Sequence, residues 1–227
     1  ASVAFGAPLQ FKKAFTEGIS KISTVDVNNA EALGYRIKHL GIARRREDGF
    51  ELRVHPTLIP EQQLIAKVDG VMNAILVDGD ASGQTLYYGA GAGSEATASA
   101  VIADLVDVAR SFISASGVTV PYLGFNTEHM QALPVIAIEE IMSAYYLRIT
   151  AEDHPGVLAQ VASILSGLGI NIESVMQKES EQMGQTIPLV LLTHEVKEKQ
   201  INEAIEQIEA LKTTVGNVVR IRVEQFN

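Results

Sequence analysis

The chain has 227 residues, with 18 Lys and Arg against 27 Asp and Glu, a formal charge of −9, and neither Cys nor Trp. An apolar share of 47% with 20% charged residues is that of a folded globular protein and excludes a disordered or collagen-like chain. Zero Cys removes disulfides, zinc–thiolate sites, iron–sulfur clusters and a cysteine nucleophile together.

The acidic excess is present in both 1–144 and 145–227, which speaks against a nucleic-acid partner. The basic run Arg44-Arg45-Arg46 is followed at once by Glu47-Asp48 and reads as an exposed turn between two strands. No apolar run approaches the roughly 20 residues that span a bilayer, and no signal peptide is visible, so no membrane partner is expected. With the missing Cys, this fits a reducing compartment, and the cytoplasm is the expectation. The chain opens on Ala1-Ser2-Val3-Ala4-Phe5-Gly6, which reads as the tail of a helix and as a piece of a longer protein.

In chain order, Thr24 to Leu33 reads as a short helix, capped by Thr24, with Asp26 in its first turn and Gly34 ending it. Tyr35 to Arg44 alternates weakly and Phe50 to His55 cleanly, so two strands joined through Arg46-Glu47-Asp48-Gly49 are expected. Pro56 and Pro60 are expected to break regular structure after them. Val71 to Val77 and Thr85 to Tyr88 give two more strands around the turn-rich Asp78 to Gly83. Ala98, Val101, Ile102, Leu105, Val108, Ala109 and Phe112 then share one face of a long helix, about 95 to 115. Gly117 to Pro134 reads as an exposed connection.

The last part is regular. Tyr145 to Ala151 is a strand, Val157 to Leu168 carries one apolar helical face, and Ile170 to Gln177 and Thr186 to Thr193 are strands. Ile201, Ala204, Ile205, Ile208 and Leu211 make a second helical face, and Val218 to Val223 is a closing strand. This β-α-β-β-α-β order is the ferredoxin-like split βαβ, with both helices on one side of an antiparallel sheet. Its other side needs a cover, from a partner sheet or from the first part. The expected class is thus α+β, a largely antiparallel sheet region with a long helix, followed by a ferredoxin-like unit. The expected divisions are 1–115, a linker over 116–144, and 145–227.

Two motifs carry chemistry. Tyr88-Gly89-Ala90-Gly91-Ala92-Gly93 leads from a strand into the long helix, where a backbone without side chains and free N–H groups suit a phosphate or a flat cofactor ring. Its spacing is not the dinucleotide fingerprint, and a tight strand-to-helix turn explains it equally well. Asp153-His154-Pro155-Gly156-Val157-Leu158 joins a strand to a helix; Asp153 suits a cap, Pro155 a first turn, and Gly156 an opening through which a carboxylate reaches the helix end. The five His residues lack metal-ligand spacing, and no G-x-S-x-G occurs, so no metal site or serine nucleophile is expected. His39 and His55 read as structural. Glu17 is either buried or ligating, and the sequence leaves both open.

Phe15-Thr16-Glu17-Gly18-Ile19, Ala32 to Lys38, Val54 to Pro60, Gly70 to Ile75, and Tyr88 to Gly93 with Thr97 to Val101 and Asp104 to Val106 together resemble the substrate-domain part of homoserine dehydrogenases. Asp153 to Leu158 and Gly169-Ile170-Asn171-Ile172 resemble an ACT regulatory domain, which often follows it in bacterial members. The resemblance implies an NAD- or NADP-dependent oxidoreductase interconverting L-aspartate semialdehyde and L-homoserine, on the route to threonine, methionine and isoleucine. It also marks what these residues lack: the dinucleotide fingerprint, the acidic substrate-binding residues and the proton-donating lysine all lie upstream in the family. No catalytic residue is therefore expected in this chain, and the chain alone is expected to be inactive. Of the cofactor contacts, only Gly93 carries over. The resemblance further implies a homo-oligomer and an amino-acid effector, L-threonine by end-product logic, held by Asp153, His154, Pro155, Gly156, Val157, Leu158 and the facing Asn171. An amino-acid-binding or dimerisation module without activity of its own is the alternative reading.

Overall fold

The structure is a computed structural model that describes residues 1–113, 123–130, 133–177 and 186–226. Helix α1 (Ser2–Phe5) ends at Gly6, whose left-handed φ of 63° lets its N–H return to Ser2 O at 3.0 Å. Strand β1 (Phe15–Thr16) leads to α2 (Thr24–Ala32). Ser23, not Thr24, caps this helix: Ser23 N and Oγ both donate to Asp26 Oδ2, at 2.9 and 2.7 Å. Thr24 is already helical, so its side chain is one residue too late for the task.

Strands β2 (Tyr35–Arg46) and β3 (Gly49–Pro60) pair antiparallel without a register shift, from Tyr35 with Pro60 to Arg46 with Gly49. The expected break at Pro56 does not occur. Phe50, Val54 and Leu58 turn their backbone groups away from β2, bonding Pro134 and Ile136, Glu17, and Glu224 respectively. Pro56 has the same phase, and faces the gap between Val54, where β1 stops, and Thr57, where the C-terminal strand begins. A missing N–H costs nothing there.

Hairpin β4 (Met72–Gly79) and β5 (Gly83–Ala90) forms a separate two-stranded sheet, and α3 (Ser94–Ile113) follows it. None of α3's residues is buried. Its apolar face is bare, with Leu105 63%, Ile102 60% and Phe112 86% exposed. Of the expected 116–144 connection, 116–122 and 131–132 lie outside the described residues. Its described end is packed: Phe50 N donates to Pro134 O at 2.9 Å, and Ile136 N to Phe50 O at 2.8 Å.

The remaining elements are β6 (Met142–Glu152), α4 (Val157–Gly167), β7 (Ile172–Gln177), β8 (Thr186–Thr193), the short β9 (Val196–Lys197), α5 (Glu198–Glu209) and β10 (Val219–Val223). Spatial order β10-β6-β8-β7 is the ferredoxin-like arrangement read from the periodicity. One face packs Tyr145, Leu147 and Ile149 against Val161 and Leu165 of α4 and Ile201, Ala204 and Ile208 of α5. The other face packs Tyr146, Val190, Leu192, Ile221 and Val223 against Ala30 and Leu58, with Ile22, Leu33, Tyr35 and Ile37 around them. The first part of the chain therefore supplies the cover.

The two parts do not simply follow one another. β10 pairs parallel with β3, Arg222 with Thr57 and Val223 with Leu58, so one sheet in the order β1-β3-β10-β6-β8-β7 runs through both.

Candidate functional site

The turn from β6 into α4 opens on a cavity of about 320 Å³. Asp153, His154, Pro155, Gly156, Val157 and Leu158 all line it, so the predicted segment is brought together. Ala151 from β6, Gln177 from β7, and Ile187 and Leu189 from β8 complete the wall. These four escaped the sequence reading. Only strand register brings them together: Ala151 pairs with Ile187, and Leu189 with Gln177, across adjacent strands. Asn171 does not line the cavity; it precedes β7 at the far end of α4, where its carbonyl accepts His194 N at 2.9 Å.

Asp153 does not cap α4. The capping position belongs to Gly156, with a left-handed φ of 94° and no side-chain bond to the helix end. The first intrahelical bond runs from Gln160 N to Gly156 O, at 3.0 Å. A Cβ on Gly156 would meet nothing within 4 Å. The conformation, not crowding, is what requires glycine. The mouth thus offers a helix N-terminus uncovered by side chains, with the Asp153 carboxylate and the His154 ring beside it, both exposed. His154 Nε2 lies 3.5 Å from the Glu152 carboxylate. Such a pairing of helix-end N–H groups with a carboxylate can hold the two charges of an α-amino acid.

The glycine turn behaves differently at each position. Gly91 is crowded: its N–H donates to Val71 O at 2.9 Å, and a Cβ there would fall 1.6 Å from Asn73 Nδ2. Gly89 and Gly93 face open space, and Gly93 has a φ of 122° immediately before α3. Gly91 therefore serves the turn, whereas Gly89 and Gly93 leave the backbone approachable, as a flat cofactor ring or phosphate needs.

Between the two parts lies a nearly dry layer of charge. Glu17 is partly buried and accepts Arg222 Nη1 at 2.8 Å. Arg222 also reaches Glu198, with Nε to Oε2 at 2.7 Å, and its guanidinium lies 4.8 Å from the Phe15 ring. Arg53 Nη2 donates to Glu224 at 2.8 Å and to Glu51 at 3.1 Å, and Arg44 joins both carboxylates. His55 is wholly buried among them; burial, then the charges of Arg222 and Arg53, push its pKa down to about 3. Glu17 is thus an ion-pair partner in this chain. A further contact, unanticipated from the sequence, joins Asp26 to Arg148 and to Tyr146 Oη, 3.1 Å away. Among the described residues no three His, Asp or Glu side chains cluster as metal ligands, and no helix is long and apolar enough to cross a membrane.

Residues 1–106 match the family model described as homoserine dehydrogenase, and residues 145–213 match that of the ACT domain. Homoserine dehydrogenase of Pseudomonas aeruginosa is 64% identical over 227 residues, covering 100% of this chain and 52% of the relative. That of Neisseria gonorrhoeae is 47% identical, with 100% and 52% covered. The crystal structure of a homoserine dehydrogenase from Thiobacillus denitrificans superposes with a TM-score of 0.89 at 55% identity, covering 98% of this chain and 50% of that one. The Staphylococcus aureus homoserine dehydrogenase at pH 6.0 gives 0.64 at 26% identity, covering 100% and 51%. The chain spans about half the length of the curated relatives it matches.

Proposed function

The chain belongs to the homoserine dehydrogenase family and corresponds to its C-terminal part with an ACT domain, and we propose that it is the substrate-side and sensor half of an enzyme that interconverts L-aspartate semialdehyde and L-homoserine with NAD or NADP. The reaction belongs to threonine, methionine and isoleucine biosynthesis, in the cytoplasm. A bound nicotinamide nucleotide supplies the hydride. On this reading Gly93, just before α3, lies against the nucleotide, because it bears no side chain and faces open space. Turnover belongs to the assembled protein. The residues described here offer no dinucleotide fingerprint, so the chain by itself acts as an amino-acid-binding regulatory module, assembled as a homo-oligomer.

The sensor function rests on the cavity at the N-terminus of α4. Its effector is an amino acid, and L-threonine is the one that end-product logic selects. The carboxylate docks on the helix-end N–H groups and the ammonium on Asp153. Occupancy shifts the enzyme between states to the extent that those states bind the effector differently. Calorimetric titration of the chain with L-threonine tests this, with saturable binding expected. A flat titration removes the sensor reading. Robust turnover of homoserine by the chain alone removes the assignment of catalysis to the assembled protein.

A further inference from the structure

A second cavity, of about 180 Å³, lies at the opposite end of β6 from the first. Ser143 and Ala144 line it, whereas Ala151 lines the α4 cavity, roughly 24 Å further along the strand at about 3.4 Å per residue. The two cavities share no residue. The walls of the second come from both parts of the chain: Arg44 and Arg46 from β2, Glu173 from β7, Glu195 from the turn after β8, and Glu224 just past β10. Clefts between packed units are favoured places for small ligands.

The charges on these walls are unevenly paired. Arg44, Arg46 and Arg53 share two carboxylates, Glu51 and Glu224, which leaves one guanidinium charge over. That excess reaches the cavity at Arg46. Its Nε donates to Glu51 at 2.6 Å, while Nη1 and Nη2 have no partner among the described residues. Glu224 is 6% exposed and is taken up by Arg44 and Arg53. Glu173 and Glu195 are exposed, and neither carboxylate has a hydrogen bond or ion pair among the described residues. Glu195 lies close to the arginines: burial alone lowers the Arg44 pKa, but Glu224, Glu51 and Glu195 raise it above its ordinary value.

A ligand with one charge fits such a cavity poorly. An anion drawn to Arg46 meets Glu173 and Glu195, and a cation drawn to those carboxylates meets Arg46. A small molecule carrying both charges avoids each repulsion. Its carboxylate takes the two free Nη groups side by side, and its ammonium donates to Glu195 or Glu173. Ala144 and Val223, 8% and 6% exposed, add a small apolar patch. The volume excludes larger ligands, whose pockets run to roughly 300–1,000 Å³. We infer that this cavity is a second ligand site, set between the two parts of the chain, for a small zwitterion such as an α-amino acid with a short side chain. It stands apart from the effector reading of the α4 cavity.

The test is titration of the isotope-labelled chain with glycine, acetate and methylamine, followed through the backbone amides by NMR. Glycine is expected to shift the amides of Ser143, Ala144 and Glu224 saturably. Acetate and methylamine each keep one of its two charges and are expected to bind at least about 10-fold more weakly. Arg46→Gln and Glu195→Gln are each expected to weaken glycine by about 10-fold. Both variants are expected to keep the parent's urea midpoint within error, since Glu51 retains Arg44 and Arg53 and Glu195 has no ion pair to lose among the described residues. Absence of a saturable shift at Ser143, Ala144 and Glu224, whatever happens at Val157 and Leu158, overturns the second site. Acetate binding as tightly as glycine, or glycine binding unchanged in either variant, overturns the zwitterion reading.

Discussion

The Asp26 carboxylate, wholly buried on α2, receives Arg148 Nε at 2.6 Å and Nη2 at 3.1 Å from the middle of β6. The same carboxylate binds Ser23 and so holds the start of its own helix. One side chain thus closes the capping box of α2 and fastens the helix to the sheet whose end carries the cavity at α4. Burial alone raises the Asp26 pKa, but the hydrogen bonds from Arg148 and Ser23 outweigh it and hold the carboxyl below its ordinary value. Replacing Asp26 with Ala leaves the largely buried Arg148 unpaired. Removing one partner of a buried pair costs about 3–5 kcal/mol. Urea unfolding of Asp26→Ala is expected to show a loss of that size, and Asp26→Asn a smaller one, since the amide still bonds Ser23. A loss under about 1 kcal/mol in Asp26→Ala would mean that the pair is not a structural tie.

His55 sets the response to acid. Its pKa in the folded chain is about 3, against an unfolded value of roughly 6.5. Between those values the unfolded chain takes a proton that the folded chain refuses, so stability falls as pH falls, by about 1.4 kcal/mol per pH unit. From pH 7 to pH 5 the expected loss is about 2 kcal/mol. Below about pH 4, protonation of Asp26 in the unfolded chain adds to it, because that depressed carboxyl gives stability only above its unfolded pKa. In His55→Gln, denaturant midpoints measured at pH 7 and pH 5 are expected to differ much less than in the parent.

How far the sequence discloses this architecture varies with the range of the interaction. Val157 to Leu168 and Ile201 to Leu211 are legible because helical spacing is local and both faces end in the core. The parallel pairing of β3 with β10 joins Thr57 to Arg222, far apart in the chain, and no local pattern names a strand's neighbour. The charged layer is hidden for another reason. In Val219-Arg220-Ile221-Arg222-Val223 the alternation suggests a solvated arginine face, yet Arg222 is 1% exposed because Glu17 and Glu198 cover it. Alternation reports which residues share a face, not whether that face is wet. At the cavity, the glycine-containing turn was visible, while the floor needed the register of β6, β7 and β8.

Substitutions at Gly156 test the proposed effector binding apart from folding. Its φ of 94° strains any other L-residue, by about 1–2 kcal/mol. A Cβ meets open space, so Gly156→Ala bears that strain without filling the mouth, whereas Gly156→Leu bears it and covers the end of α4. Both variants are expected to unfold at similar urea concentrations. Threonine affinity is expected to drop modestly in the first and by more than about 100-fold in the second, the loss of a charge-assisted contact worth about 3 kcal/mol. Equal affinities in the two variants would place the ligand elsewhere.

The bare face of α3 makes the last prediction, and it contrasts two leucines. Leu147 is 0% exposed inside the sheet–helix core, and its truncation to Ala is expected to cost about 2–5 kcal/mol. Leu105 is 63% exposed on α3, so Leu105→Glu is expected to change the stability of this chain by no more than about 0.5 kcal/mol. A 20-residue helix with such a face, beside a lone two-stranded hairpin, has too little of its own core to be held by it. With the chain read as one half of a larger enzyme, the expected cover of this face is the half of the relatives' length that this chain does not match. Mixing the chain with that half of the Pseudomonas aeruginosa relative is expected to give a one-to-one complex, seen by sedimentation. Leu105→Glu is expected to weaken it at least 100-fold while leaving threonine binding untouched, because the cavity at α4 shares no residue with α3. A complex indifferent to Leu105→Glu, or a self-dimer of this chain that the same substitution dissociates, would assign the face to a different partner.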